Sequence, residues 1–183
     1  MLNQPQWPHS VPTPPAAPTG ISSELWTMLW YQAHLLPGLE RWLLEHGTVF
    51  ADCTLAPDLG TPKECFKNAG ERALENEDLL YCEGLAASAR LPLMLPHAWL
   101  VDKNGQAVEV TWKEPGRAYL GAVFQTSAYW DILEEARVWG VFDVYAPTWV
   151  HQEPARWKHP AFAGLGLRVP GPAERSSAVS KGA

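Results

Sequence analysis

Cysteine is scarce in this chain. Three thiols, Cys53, Cys65 and Cys82, occur in 183 residues. An odd count at that density excludes a disulfide scaffold. None stands in Cys-x-x-Cys spacing and the six histidines are scattered, so a structural zinc site is not indicated. No metal and no cofactor are expected. No apolar run is long enough to span a bilayer, and no charged stretch followed by an apolar one opens the chain. Long basic runs are missing too. Lys and Arg number 14 against 20 Asp and Glu, a net charge of -6, which argues against a nucleic-acid partner. No internal repeat is visible. These absences point to a cytoplasmic protein without a membrane partner, in a reducing compartment where a free thiol stays usable.

The length suits one compact domain, and the 46% of apolar residues can build a real core. Proline crowds residues 1–20, which cannot form regular ladders and are expected to be an extended tail. A single domain is expected over residues 21–150. Residues 151–183, rich in proline, glycine and charge, are expected to form an irregular extension and tail.

The domain is arranged around Thr61-Pro62-Lys63-Glu64-Cys65-Phe66-Lys67-Asn68-Ala69. Thr61 can cap a helix, Pro62 suits its first position, and Glu64 has capping-box spacing from Thr61. Phe66, Ala69, Ala73 and Leu74 then mark one buried face, and the helix runs to about Asn76. Cys65 falls in the first turn, where unpaired amides and the partial positive charge of the helix start favour a negatively charged sulphur. It is a candidate nucleophile, against the plainer alternative of a small buried residue.

A second stretch runs from Pro96 to Trp112. Two strand-like runs flank Lys103-Asn104-Gly105, a hairpin signature. A three-residue loop, a type I turn followed by a left-handed glycine, pairs Asp102 with Gln106 and therefore Trp99 with Glu109 and His97 with Thr111. These four side chains then share one face. Glu109 becomes a diagonal neighbour of His97, roughly 7 Å away along the backbone and closer at the tips. Asp102 is the competing acid. It faces the other way and fits the first position of the turn, although a two-residue loop would reverse that parity.

A cysteine at a helix start with a histidine and an acid on adjacent strands is the arrangement of nucleophilic catalysis. The ordered set Cys65-Phe66-Lys67-Asn68-Ala69, Tyr81-Cys82-Glu83-Gly84, His97-Ala98-Trp99 and Glu109-Val110-Thr111 resembles the transglutaminase-like branch of the papain-like superfamily, and is most similar to small phage and bacterial proteins with that core. The resemblance covers residues 61–112. In that family the histidine commonly lies in a His-Ala-Trp motif and the acid in an Asp-Pro-Thr motif. Here Glu109 stands for the aspartate and Val110 for the proline. The resemblance implies acyl transfer or hydrolysis of an amide, with a protein, peptide or small amide as substrate and Cys65, His97 and Glu109 as the catalytic set.

The remaining elements are coarser. Ser22-Ser23-Glu24 opens a helix with Trp26, Leu29, Trp30, Ala33 and Leu36 on one face, interrupted at Pro37, resumed through Leu39, Trp42 and Leu43, and ended by Gly47. Residues 48–60 read as a loop. Leu79 to Ala86 read as a strand with Tyr81 and Glu83 on one face, either lining the site or exposed; Trp99 is a further candidate for substrate contact. Cys82 reads as a buried structural residue. Ala118 to Phe124 form another strand. Thr126 or Ser127 caps a helix with Ile132, Leu133, Ala136 and Trp139 on its face, stopped by Gly140. Val141 to Tyr145 are either a last strand or further packing. Helix and strand runs are segregated, so the fold class expected is α+β, helices packed on a small antiparallel sheet, with the transglutaminase-like or papain-like core that the resemblance implies.

Overall fold

The computed structural model describes residues 12–19, 21–35, 39–91 and 94–142. Its first helix starts where the sequence reading puts it. The Ser22 hydroxyl accepts from the Leu25 amide at 3.2 Å, an N-cap bond, and opens α1 (Ser23–Leu35). Leu25, Trp26, Leu29 and Ala33 are buried along one side of it. α2 (Leu39–His46) follows and ends as the Gly47 amide donates to the Leu43 carbonyl at 2.7 Å. Residues 12–18 carry no helix or strand, yet they do not hang free as a tail. The indole N–H groups of Trp26 and Trp30 donate to the carbonyls of Pro15 and Pro12 at 3.0 and 2.9 Å. Proline has no amide to offer a ladder, but its carbonyl remains a full acceptor. Residues 1–11 and the extension expected over 151–183 lie outside the described residues.

Six strands form one mixed sheet. In chain order they are β1 (Thr48–Phe50), β2 (Cys53–Leu55), β3 (Leu79–Ala87), β4 (Met94–Asp102), β5 (Ala107–Glu109) and β6 (Ala118–Phe124). Their order across the sheet is β1-β6-β3-β4-β5-β2. The class is α+β. The sheet is larger than expected and not wholly antiparallel, because β2 runs parallel to β5. Both unforeseen strands, β1 and β2, come from the stretch read as a loop. Three residues are too few to display alternation. The parallel pairing follows from the long connection between β2 and β5, which contains α3 (Cys65–Glu75), β3 and β4.

The hairpin between β4 and β5 has the expected three-residue loop. Gly105 has φ 72°, its amide donates to the Asp102 carbonyl at 2.8 Å, and the Asp102 amide donates to the Gln106 carbonyl at 2.9 Å. The ladder continues as Val101 opposite Ala107 and Leu100 opposite Val108. Asp102 occupies the first position of the turn, its carboxylate accepting the amides of Asn104 and Gln106 at 2.9 and 2.8 Å.

Both faces of the sheet are buried. Tyr81, Leu85, Leu100, Leu120 and Phe124 join the side chains of the helices in one cluster. Phe50, Cys82, Trp99, Val101, Tyr119 and Val123 form another. Gly84 and Gly121 pair directly across β3 and β6. A Cβ on Gly121 would run into the Trp99 indole, so this glycine is what lets a large ring lie against the strand. The indole N–H of Trp99 is buried without a hydrogen-bond partner among the described residues.

α4 (Thr126–Ala136) begins one residue earlier than a Thr126 cap requires. Gln125 holds the N-cap position with no side-chain bond, and Thr126 and Ser127 lie inside the helix. It also stops before Gly140. Arg137 turns left-handed at φ 59° and its amide donates to the Leu133 carbonyl at 2.9 Å, so a non-glycine residue makes the αL cap. The following segment is anchored by a buried acid. Glu83 accepts the amides of Val141 and Phe142 at 2.6 and 2.9 Å and the Tyr81 hydroxyl at 2.7 Å. Residues 143–150 lie outside the described residues, so the last-strand alternative applies only to Val141 and Phe142, which are buried and helical.

Glu83→Ala removes the acceptor of all three donors. Hydrogen bonds to a charged group are worth about 1.5–3 kcal/mol each, so a loss of about 3 kcal/mol or more is expected. Glu83→Gln, which keeps an accepting oxygen, should lose less. Chemical denaturation of both variants measures the difference, and equal midpoints for Glu83→Ala and the parent chain would refute the anchoring role.

Candidate active site

Cys65 is the first residue of α3, preceded by Glu64 at the N-cap position with no side-chain capping bond. The capping box expected from Thr61 and Glu64 does not form, and Pro62 is not the first helical residue. A competing interaction explains this. Asn68, one turn into the helix, takes the Thr61 backbone on both sides: its Oδ1 accepts the Thr61 amide at 3.1 Å and its Nδ2 donates to the Thr61 carbonyl at 2.8 Å. Residues 61–64 become a turn, closed by the Glu64 amide donating to the Thr61 carbonyl at 3.3 Å. Lys63 sits in it at φ 70°, a left-handed conformation that costs a side-chain-bearing residue about 1–2 kcal/mol. The helix thus starts at Cys65, whose own amide is among the first-turn donors that an α-helix leaves unpaired.

α3 packs on β3 and β4. This brings the start of the helix to His97, which projects from β4 and is 1% exposed. His97 Nε2 lies 2.9 Å from Glu109 Oε2. The acid that orients the imidazole is therefore Glu109, on β5, and not Asp102. The hairpin register predicts this outcome. The Cys65 thiol lies near enough to the imidazole to act on its charge.

Glu109 is fully buried, and an isolated carboxylate there would be prohibitively unstable. Four donors resolve this. Oε1 accepts the amides of Thr111 and Trp112 at 2.8 and 2.9 Å. Oε2 faces His97 and accepts the Tyr119 hydroxyl at 2.9 Å. Tyr119 in turn accepts the Gly116 amide at 2.7 Å. Burial alone would raise the Glu109 pKa. The His97 hydrogen bond and charge, then the two amides, outweigh burial and hold the carboxyl below its ordinary value of 4.5. Burial alone would lower the His97 pKa. The Cys65 thiol, then Glu109, outweigh it and hold the imidazole above its ordinary value of 6.5. Trp112 stacks on the imidazole with ring centroids 3.9 Å apart, covering that face of the ring.

The two arms of the site are joined by the same asparagine. Asn68 Nδ2 also donates to Thr111 Oγ1 at 2.9 Å. Asn68 thus ties the turn before Cys65 to the turn after Glu109. The connecting loop lies along the end of β5, with the Ala56 and Gly60 amides donating to the Glu109 and Val110 carbonyls at 2.8 and 2.7 Å. Sequence reasoning places Thr111 on the face of His97 and Glu109 but gives Asn68, Trp112 and Tyr119 no role. A signal for Asn68 exists: it is a polar residue three positions after Cys65, beside Ala69 on the buried side of the helix.

The other candidates lie in the core behind this set, Trp99 with its ring 6.3 Å from that of His97. Tyr81 and Trp99 are fully buried and Glu83 is 2% exposed. Tyr81 stacks on Tyr129 at 4.0 Å and donates to Glu83, which holds the segment after α4. Trp99 lies in the core between Phe50 and Tyr119. All three are packed into the sheet's core, so neither the site-lining nor the exposed alternative describes their surroundings, which are those of buried packing residues. Burial also opposes ionisation of the other two thiols. It pushes Cys53 up to about 11, and it raises Cys82 well above the usual thiol value. Among the described residues no group of three or more histidine, cysteine or acidic side chains could hold a metal ion, and no helix is long and apolar enough to cross a membrane.

Two predictions follow the geometry. The depressed Glu109 pKa adds stability above pH 4.5 that is lost as pH falls through the folded value. The raised His97 pKa adds stability that is complete below pH 6.5 and lost as pH rises through the folded value. The stability gap between the parent chain and Glu109→Gln should therefore be widest between pH 4.5 and 6.5 and narrow on both sides; denaturation across pH checks it, and a flat gap refutes the ion pair. Asn68→Ala removes the Thr61 amide's acceptor, one of two donors to the Thr61 carbonyl and the donor to Thr111 Oγ1, and should cost about 2–3 kcal/mol in the same measurement.

Comparison of the chain with protein-family models, with curated proteins and with solved structures finds no match.

Proposed function

We propose that this protein is a cysteine-dependent acyl transferase or hydrolase acting on an amide, with a papain-like or transglutaminase-like core. The observation that carries the reading is a buried imidazole held between a helix-start thiol and a fully hydrogen-bonded carboxylate. His97 takes the proton of the Cys65 thiol as the sulphur attacks the substrate carbonyl carbon. The tetrahedral intermediate collapses, the carbon–nitrogen bond breaks, and the amine leaves with the proton returned by His97. A thioester on Cys65 remains. Water or a second amine, deprotonated by His97, then attacks it and displaces the sulphur. Glu109 keeps Nε2 engaged throughout and stabilises the imidazolium. Water as acceptor gives a protease, amidase or deamidase; an amine gives a transamidase.

A second reading is a non-catalytic module, a phage structural or binding protein that has kept the fold. Its support is the small exposure of Cys65, 9%, together with a glutamate where the family has its aspartate.

Alkylation by iodoacetamide separates the two. Cys65 should react fastest of the three thiols near pH 7, and His97→Ala should slow it about tenfold or more, the equivalent of about 1.4 kcal/mol or more. Cys53 and Cys82 should change little. Mass spectrometry of labelled peptides follows all three at once. A Cys65 rate that His97→Ala leaves unchanged, in a folded variant, establishes the binding-module reading instead.

A further inference from the structure

A groove of about 430 Å³ lies over the turns that flank Cys65 and Glu109. Its walls are the two turns that Asn68 joins. Pro62 and Lys63 come from the turn before Cys65; Trp112 and Lys113 come from the turn after Glu109. Trp112 is the ring stacked on His97, so the groove adjoins the imidazole through that side chain and the helix start through Pro62 and Lys63. Leu59 and Leu95 supply apolar lining, and Leu59 is left 38% exposed.

The charge of the groove runs against that of the molecule. The chain carries a net charge of -6, whereas the groove holds Lys63, Arg90 and Lys113 against Glu114 alone. Arg90 is taken by Glu114, with Nη2 2.7 Å from Oε1. Lys63 and Lys113 are in no ion pair among the described residues. One comes from each turn. Lys63 is also held at φ 70°, a conformation glycine adopts freely and a lysine does not.

We propose that this groove is the subsite for the acyl side of the substrate, and that it takes a peptide segment with an acidic side chain next to an apolar one. The carboxylate lies between Lys63 and Lys113, and the apolar side chain lies against Leu59 and Leu95. The proposal rests on Cys65 being the nucleophile only for the direction in which the peptide runs; the affinity for an acidic peptide stands by itself.

The test uses the full chain and three peptide vinyl sulfones that differ in one residue, glutamate, glutamine or lysine, beside a leucine. Labelling of Cys65 is followed by mass spectrometry, with iodoacetamide in parallel. The glutamate probe should label about three- to tenfold faster than the glutamine probe, and the lysine probe slowest, as expected for two partly exposed ion pairs. The Lys63→Gly, Lys113→Gln double variant should bring the glutamate and glutamine rates together, and Lys63→Gly relieves the backbone rather than straining it, so the fold is kept. Iodoacetamide rates should not follow the side chain of any probe, and they report on the nucleophile alone. Equal rates for the three probes, or a glutamate preference that survives in the double variant, overturns the proposal. In Cys65→Ala, the same glutamate peptide without its electrophile should bind and shift the tryptophan fluorescence, more weakly at high salt. Binding no tighter than that of the glutamine peptide overturns the proposal whatever the fate of the nucleophile.

Discussion

A negative charge has been taken out of water at Glu109, and most of the site follows from the need to satisfy it. A carboxylate in that position is stable only with donors on both oxygens. Two come from the chain's own turn, at Thr111 and Trp112. The third comes from Tyr119 on β6 and the fourth from His97 on β4. Removing any of these leaves a buried charge less than fully paired, a change far more costly than the net worth of the pair. The donors also fix the imidazole. A carboxylate with one oxygen committed to two backbone amides cannot swing, so the other oxygen presents a fixed acceptor to Nε2. Orientation of the base is thus a by-product of solvating the acid.

The division of labour among three thiols has an equally simple origin. Cys82 lies inside the sheet and Cys53 lies on the edge strand beside Tyr119 and Glu109, where burial and a neighbouring carboxylate both oppose a thiolate. Among the described residues Cys65 is the thiol that begins a helix and comes near an imidazole. The other two stand in surroundings that resist negative charge.

Local rules read the hairpin best. Asn104-Gly105 specifies one turn, the turn specifies a register, and the register places His97, Trp99 and Glu109 on one face, which is how Glu109 is distinguished from Asp102 in advance. The α+β class and most helix and strand positions are legible for the same reason, since each is a run long enough to show its period. The failures are instructive in kind. Thr61, Pro62 and Glu64 satisfy a capping signature and still do not cap, because Asn68 offers the Thr61 backbone two bonds at once. β1 and β2 are invisible because their pairing partners, β6 and β5, are remote in sequence. Alternation on β3 places Tyr81 and Glu83 on a common face but cannot say that α3 and α4 cover it. Those are tertiary facts, and a single sequence carries no local trace of them.

Asn68 has a consequence beyond the bonds it makes. In the proposed function Cys65 and Glu109 work together, although one begins α3 and the other ends β5; each adjoins a turn, and each turn has its own thermal motion. If the turns were independent, the gap between sulphur and imidazole would inherit the jitter of both. A common brace from Asn68 to Thr61 on one side and Thr111 on the other makes the two arms move as one frame. What varies is then the position of the whole site, to which the chemistry is indifferent. The internal spacing, to which it is acutely sensitive, is insulated from the flexing of the loops that carry it.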